Sequence, residues 1–129
     1  MANAIDFLGT TFLDGGATLL ARVEQDGVLI QQADIASIAY TIHALDADQN
    51  RTAVTGHEAV TVAVGEAVFD ALQTDDMWTA DASGYNLRIV VDGSINPPWP
   101  TAGVTYLVVA TITPHVGQPF VVRWRPTAR

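Results

Sequence analysis

VTYLVVATIT (Val104–Thr113) and FVVRWR (Phe120–Arg125) are two segments rich in β-branched and aromatic residues, which favour an extended chain. Residues 114–119, which lie between them, contain two prolines and a glycine, so one strand ends there and the next begins. The first segment is apolar on both faces, whereas the second alternates between apolar and polar positions. This pair predicts an inner strand covered on both sides, beside a half-exposed neighbour.

The rest of the chain repeats the pattern of short apolar segments separated by turn residues. Residues 66–73 differ, because Val68, Phe69 and Leu72 recur at helical spacing after Glu66, which predicts a helix of about two turns. Further strands are predicted at residues 17–23, 28–30, 37–45, 59–64 and 87–91, and an edge strand or ordered arm at residues 3–9.

About seven strands and one short helix, with no long crossover helix between consecutive strands, indicate an all-β fold. We expect an antiparallel, immunoglobulin-like β-sandwich, with a jelly roll or a small barrel as the alternative. The length of 129 residues suits one domain. We therefore expect residues 1–16 to form an N-terminal arm or edge strand and residues 17–129 to form a single sandwich domain.

The composition is globular but acidic. The hydrophobic fraction is 49%, the charged fraction is 16% and the net charge is −8, with arginine as the only basic residue besides histidine. Proteins that bind nucleic acid or anionic membranes autonomously use an excess of cations to neutralise phosphates. We therefore expect neither nucleic acid nor a membrane among the direct partners.

Cysteine is absent from the sequence, which excludes disulfides, thiolate nucleophiles and cysteine-ligated metals. The first residues, Met1–Asp6, contain neither a basic region nor a long apolar run, so we expect no secretion signal. No stretch approaches the ~20 apolar residues that a membrane-spanning helix needs. The sequence therefore predicts a chain that is made in the cytoplasm.

The chemistry-bearing residues form no complete site. Asp46–Asn50 begins like a calcium loop, but Arg51 and His57 stand at the positions where that loop needs a glycine and a bidentate acid. His43, His57 and His115 lack metal-ligand spacing. No nucleophile elbow is present, and the absence of lysine excludes phosphate loops of the Walker type. We therefore predict no catalytic residue, no cofactor and no metal.

Three aromatic residues lie in the long connections rather than in the strands. Trp78 is expected to cap an open end of the sandwich, whereas Trp99, within Pro97–Pro100, is expected to protrude on a stiff loop. Exposed aromatics on a sandwich bind sugar rings or protein partners. Tyr85 follows an Asp81–Gly84 sequence that resembles the approach to a tyrosine corner, with the spacing off by one residue.

The order of the first strands is similar to that of a known group of proteins. Residues 17–23, the Asp26–Ile30 turn and strand, and residues 35–42 resemble the opening of phage immunoglobulin-like modules such as the N-terminal domains of baseplate upper proteins. Four later stretches, residues 69–78, 84–88, 106–113 and 117–120, resemble small proteins encoded beside phage structural genes. The resemblance implies a virion structural protein without catalytic residues that docks to other virion proteins and repeats by symmetry.

We therefore expect a non-enzymatic virion component, such as a capsid decoration, neck, tail or baseplate protein, that contacts other virion proteins and symmetric copies of itself. The alternative is a carbohydrate-binding or adhesion module that uses exposed tryptophans, with a glycan as its ligand. The expected partner contacts are the N-terminal arm and the proline-rich loop, through Ile5, Phe7, Leu8, Phe12, Pro98 and Trp99.

Overall fold

The computed structural model describes residues 5–11, 16–25, 27–74, 82–93 and 96–128. These ranges contain two short helices and eleven strands, joined by turns and loops. The helices are a 3-10 helix at Gln32–Asp34 and α1 (Val64–Ala67). The strands are β1 (Ile5–Thr11), β2 (Ala17–Ala21), β3 (Glu24–Gln25), β4 (Val28–Leu29), β5 (Ile35–Leu45), β6 (Arg51–Ala53), β7 (Val60–Val62), β8 (Val68–Gln73), β9 (Tyr85–Val91), β10 (Tyr106–Pro114) and β11 (Phe120–Ala128).

The larger sheet, sheet A, is built on the hairpin that the C-terminal sequence predicts. Its strand order is β1-β11-β10-β5-β6, and β7 also pairs with β5. β10 is antiparallel to both neighbours, with Val108 opposite Trp124 on one side and Ile42 on the other. β1 runs parallel to β11, with Ile5 opposite Val122. β10 is therefore an inner strand, and residues 5–11 form an edge strand.

The smaller sheet, sheet B, has the order β2-β9-β8, with both pairs antiparallel. A separate hairpin of β3 and β4 turns at Gly27, whose positive φ of 79° suits glycine. If β2, β5, β8, β9, β10 and β11 are taken as strands B to G, the sheets read B-E-D and G-F-C. This is the strand arrangement of an immunoglobulin-like sandwich, which confirms the predicted fold class.

The core lies between the two sheets. Residues of both sheets are buried there, among them Leu19, Ile38, Tyr40, Tyr106, Val108 and Trp124. Trp124 of sheet A also donates its indole N–H to the Leu20 carbonyl of sheet B, over 3.0 Å. Apolar burial and this inter-sheet hydrogen bond hold the sheets together in a chain that has no disulfide.

The predicted two-turn helix at residues 66–73 is wrong. The helix is the single turn α1, and the chain is extended from Val68, which pairs with Leu87 of β9. Val68 is buried, while Asp70 is exposed. The β-branched and aromatic residues Val68 and Phe69 fit a sheet surface, and pairing with β9 outweighs the weak local helical pattern.

The prediction that β10 is covered on both sides holds for only part of its length. Its core-facing residues are buried, but on the opposite face Val109 is half-buried and Thr111 is exposed, although Leu107 is buried. The second sheet covers only one face of sheet A, so the apolar composition of β10 overstates its burial. The outer face of sheet A is therefore partly open.

The tyrosine corner is formed by Tyr106 rather than Tyr85. Tyr106 stands at the start of β10, and its hydroxyl accepts the Thr101 N–H (2.8 Å) and donates to the Thr101 carbonyl (3.2 Å). A tyrosine at the start of strand F that bonds to the backbone upstream is a hallmark of immunoglobulin-like sandwiches. Tyr85 instead packs edge-on against Phe69 in sheet B.

Candidate functional site

A groove of about 560 Å³ opens where the chain crosses from sheet A to sheet B. This volume lies within the range of roughly 300–1,000 Å³ that is usual for ligand pockets. Its walls come from β5, β7, α1, β8 and β9, so residues from both sheets meet there. The lining residues are Tyr40, Val60, Thr61, Val62, Ala63, Gly65, Glu66, Phe69, Arg88, Val90 and Asp92.

The groove exists because sheet B is incomplete on one side of β9. Residues 88–91 of β9 pair with β2, with Arg88 opposite Leu20 and Val90 opposite Thr18. On the other side the pairing with β8 reaches only Val68 opposite Leu87, because the chain before Val68 turns into α1. We call the space beside residues 88–91 the open lane, since no strand of the described ranges occupies it.

The inner wall of the groove is largely apolar. Val60 and Val62 of β7 are half-buried, and Tyr40 of β5 is buried. β7 pairs with β5 alone among the described strands. A strand in the open lane would therefore extend sheet B and cover these side chains of sheet A.

A buried hydrogen-bond network holds Tyr40 in place. His57 is only 4% exposed, and its Nε2 lies 2.8 Å from the Asn96 carbonyl while its Nδ1 lies 3.1 Å from the Tyr40 hydroxyl. A carbonyl can only accept, so Nε2 donates to it, and in the tautomer with its proton on Nε2 the other nitrogen, Nδ1, accepts from the Tyr40 hydroxyl. A Cβ at Gly56 would collide with the Asn96 side chain, so glycine is needed beside this network.

Burial raises the pKa of the Tyr40 hydroxyl above its usual value of 10.0, and the negative charge of Asp92 raises this pKa further. The hydroxyl is therefore neutral at physiological pH and serves as a hydrogen-bond donor to His57. It is a poor candidate for a nucleophile or a general base.

Charged residues line the outer part of the groove. The Arg88 guanidinium lies 5.2 Å from the centre of the Phe69 ring, a cation–π contact. Its Nε is buried without a hydrogen-bond acceptor. Glu66 and Asp92 are exposed acids of the same groove. The groove thus combines an apolar wall with one cation and two anions.

No relative was found. No protein-family model matches the sequence, and comparisons with curated proteins and with solved structures gave no match. No helix in the described part of the chain is long and apolar enough to cross a membrane. The groove and the edges of the sheets are therefore the features that bear on function.

The expected contact residues of the N-terminal arm fall in two places. Ile5, Phe7 and Leu8 lie in β1, whose backbone pairs with β11 of the same chain. Phe12 lies outside the described residues, as does Trp78. A contact of this edge strand with a partner stays a prediction.

The prediction that Trp99 protrudes is wrong. Trp99 is 0% exposed, Pro98 is also buried, and the indole packs edge-on against Tyr106 with 5.5 Å between ring centres. The indole is a large apolar surface, and its burial stabilises a folded-back loop more than an exposed loop. Pro98 and Trp99 therefore do not present a contact surface to a partner or a sugar in this conformation.

The Asp46–Asn50 segment forms the loop between β5 and β6. The Asp46 carboxylate accepts N–H bonds from Asp48 (2.8 Å) and Asn50 (2.9 Å), and the Asn50 side chain adds a further bond. These bonds lower the pKa of Asp46, with the Asn50 backbone bond as the largest cause. The acids thus stabilise their own turn, and no group of three potential metal ligands was found in the described ranges.

Sequence reasoning missed Arg88, Val90 and Asp92 as neighbours in one groove. Their alternation at every second position was readable, and it predicts a shared face on a strand. What the sequence did not show is that β8 begins only at Val68, opposite Leu87, and leaves this face beside an open lane.

Proposed function

We propose that this chain is a non-enzymatic structural protein that acts through protein–protein contacts, and that the open lane accepts an extended segment of another protein. The observation that carries the proposal is that residues 88–91 have a strand partner on one side only, beside an apolar wall. Strand addition to a sheet edge combines main-chain hydrogen bonds with pockets for alternate side chains.

The outer edge of β8, on the side away from β9, is covered by hydrogen bonds from two residues of the same chain. Gln32 donates from its backbone to the Asp70 carboxylate (2.7 Å) and from its side chain to the Val68 carbonyl (2.8 Å). The Gln31 side chain donates to the Asp70 carbonyl (3.0 Å). Covering an edge in this way is a known protection against unwanted pairing. Since the outer edge of β8 is covered in this way and the β9 edge at the open lane has no described strand beside it, the difference supports a binding role for the open lane.

The polar residues at the groove support a structural role. Both ring nitrogens of His57 are engaged by Tyr40 and Asn96, and the raised pKa of Tyr40 keeps its hydroxyl protonated. A histidine that is buried and doubly bonded orients its neighbours rather than exchanging protons with a substrate.

The setting that we propose is a phage virion, where the chain contacts other virion proteins and symmetric copies of itself. The succession of β2, the β3–β4 hairpin and β5 supports this setting, because the resemblance to phage modules rests on that opening. The carbohydrate-binding alternative loses its main anchor, since Trp99 is buried against Tyr106.

The experiment compares two equal substitutions in different places. Val60→Trp inserts an indole into the groove from β7, on the face that Tyr40 shares, whereas Val109→Trp adds the same side chain on the outer face of sheet A. Each variant replaces the native chain in its source, and its occupancy in purified particles is measured by quantitative mass spectrometry. We expect folded Val60→Trp to lose occupancy and Val109→Trp to keep it. Native occupancy of both variants would overturn the proposal.

A further inference from the structure

The open lane is bordered by a regular series of side chains. Arg88, Val90 and Asp92 alternate with the buried residues Ile89 and Val91, so the three lie on the outward face of sheet B and line the groove. Val90 is 58% exposed, which is unusual for a large apolar side chain in this chain. A strand beside β9 would therefore meet a cation, an apolar residue and an anion in order.

Arg88 indicates which kind of side chain the incoming strand should carry at one end. Its Nε is buried without an acceptor, while the stacked Phe69 ring holds the guanidinium at the groove. An unsatisfied buried donor destabilises a folded chain, and does so more when it is charged. A carboxylate matches the geometry of a guanidinium best, because it accepts two parallel N–H bonds.

The direction of the incoming strand follows from β8. β8 occupies the same edge of β9 further along and is antiparallel to it. Antiparallel pairing is also slightly more stable per residue than parallel pairing. In an antiparallel incoming strand, the first residue lies opposite Asp92, the third lies opposite Val90 and the fifth lies opposite Arg88.

We propose that the open lane binds, antiparallel to β9, an extended segment of a partner protein that carries a basic, an apolar and an acidic residue at its first, third and fifth positions. The second and fourth side chains face Tyr40, Val60 and Val62 and are apolar. Opposite charges and apolar side chains that lie directly opposite each other on neighbouring strands each stabilise a sheet. This inference rests on the proposed function and adds the order of residues that the partner supplies.

The test uses the full chain and two labelled peptides of equal composition. One contains the core Lys-Val-Val-Val-Glu and the other the reversed core Glu-Val-Val-Val-Lys, both between Gly-Ser flanks, and binding is measured by fluorescence anisotropy. Since reversal turns two attractive pairs into two repulsive pairs, we expect the first peptide to bind about tenfold more tightly. Arg88→Glu should remove this preference and favour a third peptide with lysine at both ends, whereas Arg51→Glu, on exposed β6 outside the groove, should change neither.

Each other outcome has a defined meaning. Equal binding of the two peptides would overturn the residue order but leave strand addition, and hence the proposed function, standing. Failure of every peptide to bind a folded chain would overturn the inference, while the Val60→Trp comparison would still decide the proposed function. Self-association that blocks the peptides and is lost in Arg88→Glu would replace the partner segment with a second copy of this chain.

Discussion

At the residue scale, Tyr40 connects the core to the groove. Its ring is buried between the sheets and lines the groove, and its hydroxyl bonds to His57, which in turn bonds to the Asn96 carbonyl. These bonds join β5, the segment after β6 and the loop before β10. Removal of one polar atom from this network should therefore lower the stability of the whole domain.

Tyr40→Phe tests this network. The substitution removes one hydroxyl and leaves Nδ1 of His57 without its donor, so the free energy of unfolding at pH 7 should fall by about 1–3 kcal/mol. Urea unfolding followed by circular dichroism measures the change. An unchanged midpoint would mean that the hydrogen bond contributes nothing.

The stability of Tyr40→Phe should also depend on pH differently from that of the wild-type chain. The Tyr40 pKa is raised in the folded chain, so above pH 10 the folded state binds more protons than the unfolded state. The contribution of Tyr40 is complete below its unfolded pKa and is lost as pH rises through the folded pKa. The wild-type chain should thus lose stability more steeply above pH 10 than Tyr40→Phe, and parallel curves would contradict this.

Some residue-scale features could not be read from the sequence. Asn86 is completely buried, and its side chain accepts from the Val23 N–H (2.7 Å) and donates to the Val23 carbonyl (3.0 Å). It satisfies the backbone of a residue 63 positions away in sequence. Such long-range pairs depend on how β2 and β9 align, whereas the buried positions of β5 and β10 follow from local alternation.

At the scale of elements, the loop from Asn96 to Gly103 is the clearest difference between expectation and structure. Its prolines predicted a stiff loop, but not the direction in which the loop points. Trp99 anchors it against Tyr106, and the Thr101 backbone bonds to the Tyr106 hydroxyl. Residues 66–73 show the same limit, because Val68 and Phe69 fit either periodicity until β9 provides a pairing partner.

Trp99→Ala should therefore lower the free energy of unfolding. Removing a fully buried indole costs about 3–5 kcal/mol through lost burial and the cavity left behind. Pro100→Ala in the same loop is a control, because Pro100 is exposed and surface changes usually stay within about 0.5 kcal/mol. Thermal unfolding measures both variants. A Trp99→Ala chain as stable as wild type would contradict the burial of Trp99.

At the scale of the whole molecule, the domain is a sandwich whose described core cluster extends from Leu19 to Trp124. The edge strand β1 pairs with β11 at the margin of sheet A. Short alternating segments and turn residues were sufficient to predict this two-sheet architecture. They did not predict which strand edges are covered, because that depends on where β8 begins and where Gln31 and Gln32 lie.

Deletion of residues 1–12 separates folding from assembly. The described core lies beyond the deleted residues, so we expect a folded domain with cooperative thermal unfolding. Loss of β1 removes the expected contacts of the arm, and we expect the truncated chain to be absent from purified particles. Native occupancy of the truncated chain would show that the arm makes no necessary contact.

The most direct measurement of the central claim is an electron cryomicroscopy map of the particle from the native source. The account predicts symmetric copies of this chain, each with an extended segment of a neighbouring protein beside Arg88–Val91. It also predicts a carboxylate of that segment against the Arg88 guanidinium. A map in which the chain contacts its neighbours only through other surfaces, with the open lane facing solvent, would contradict the account.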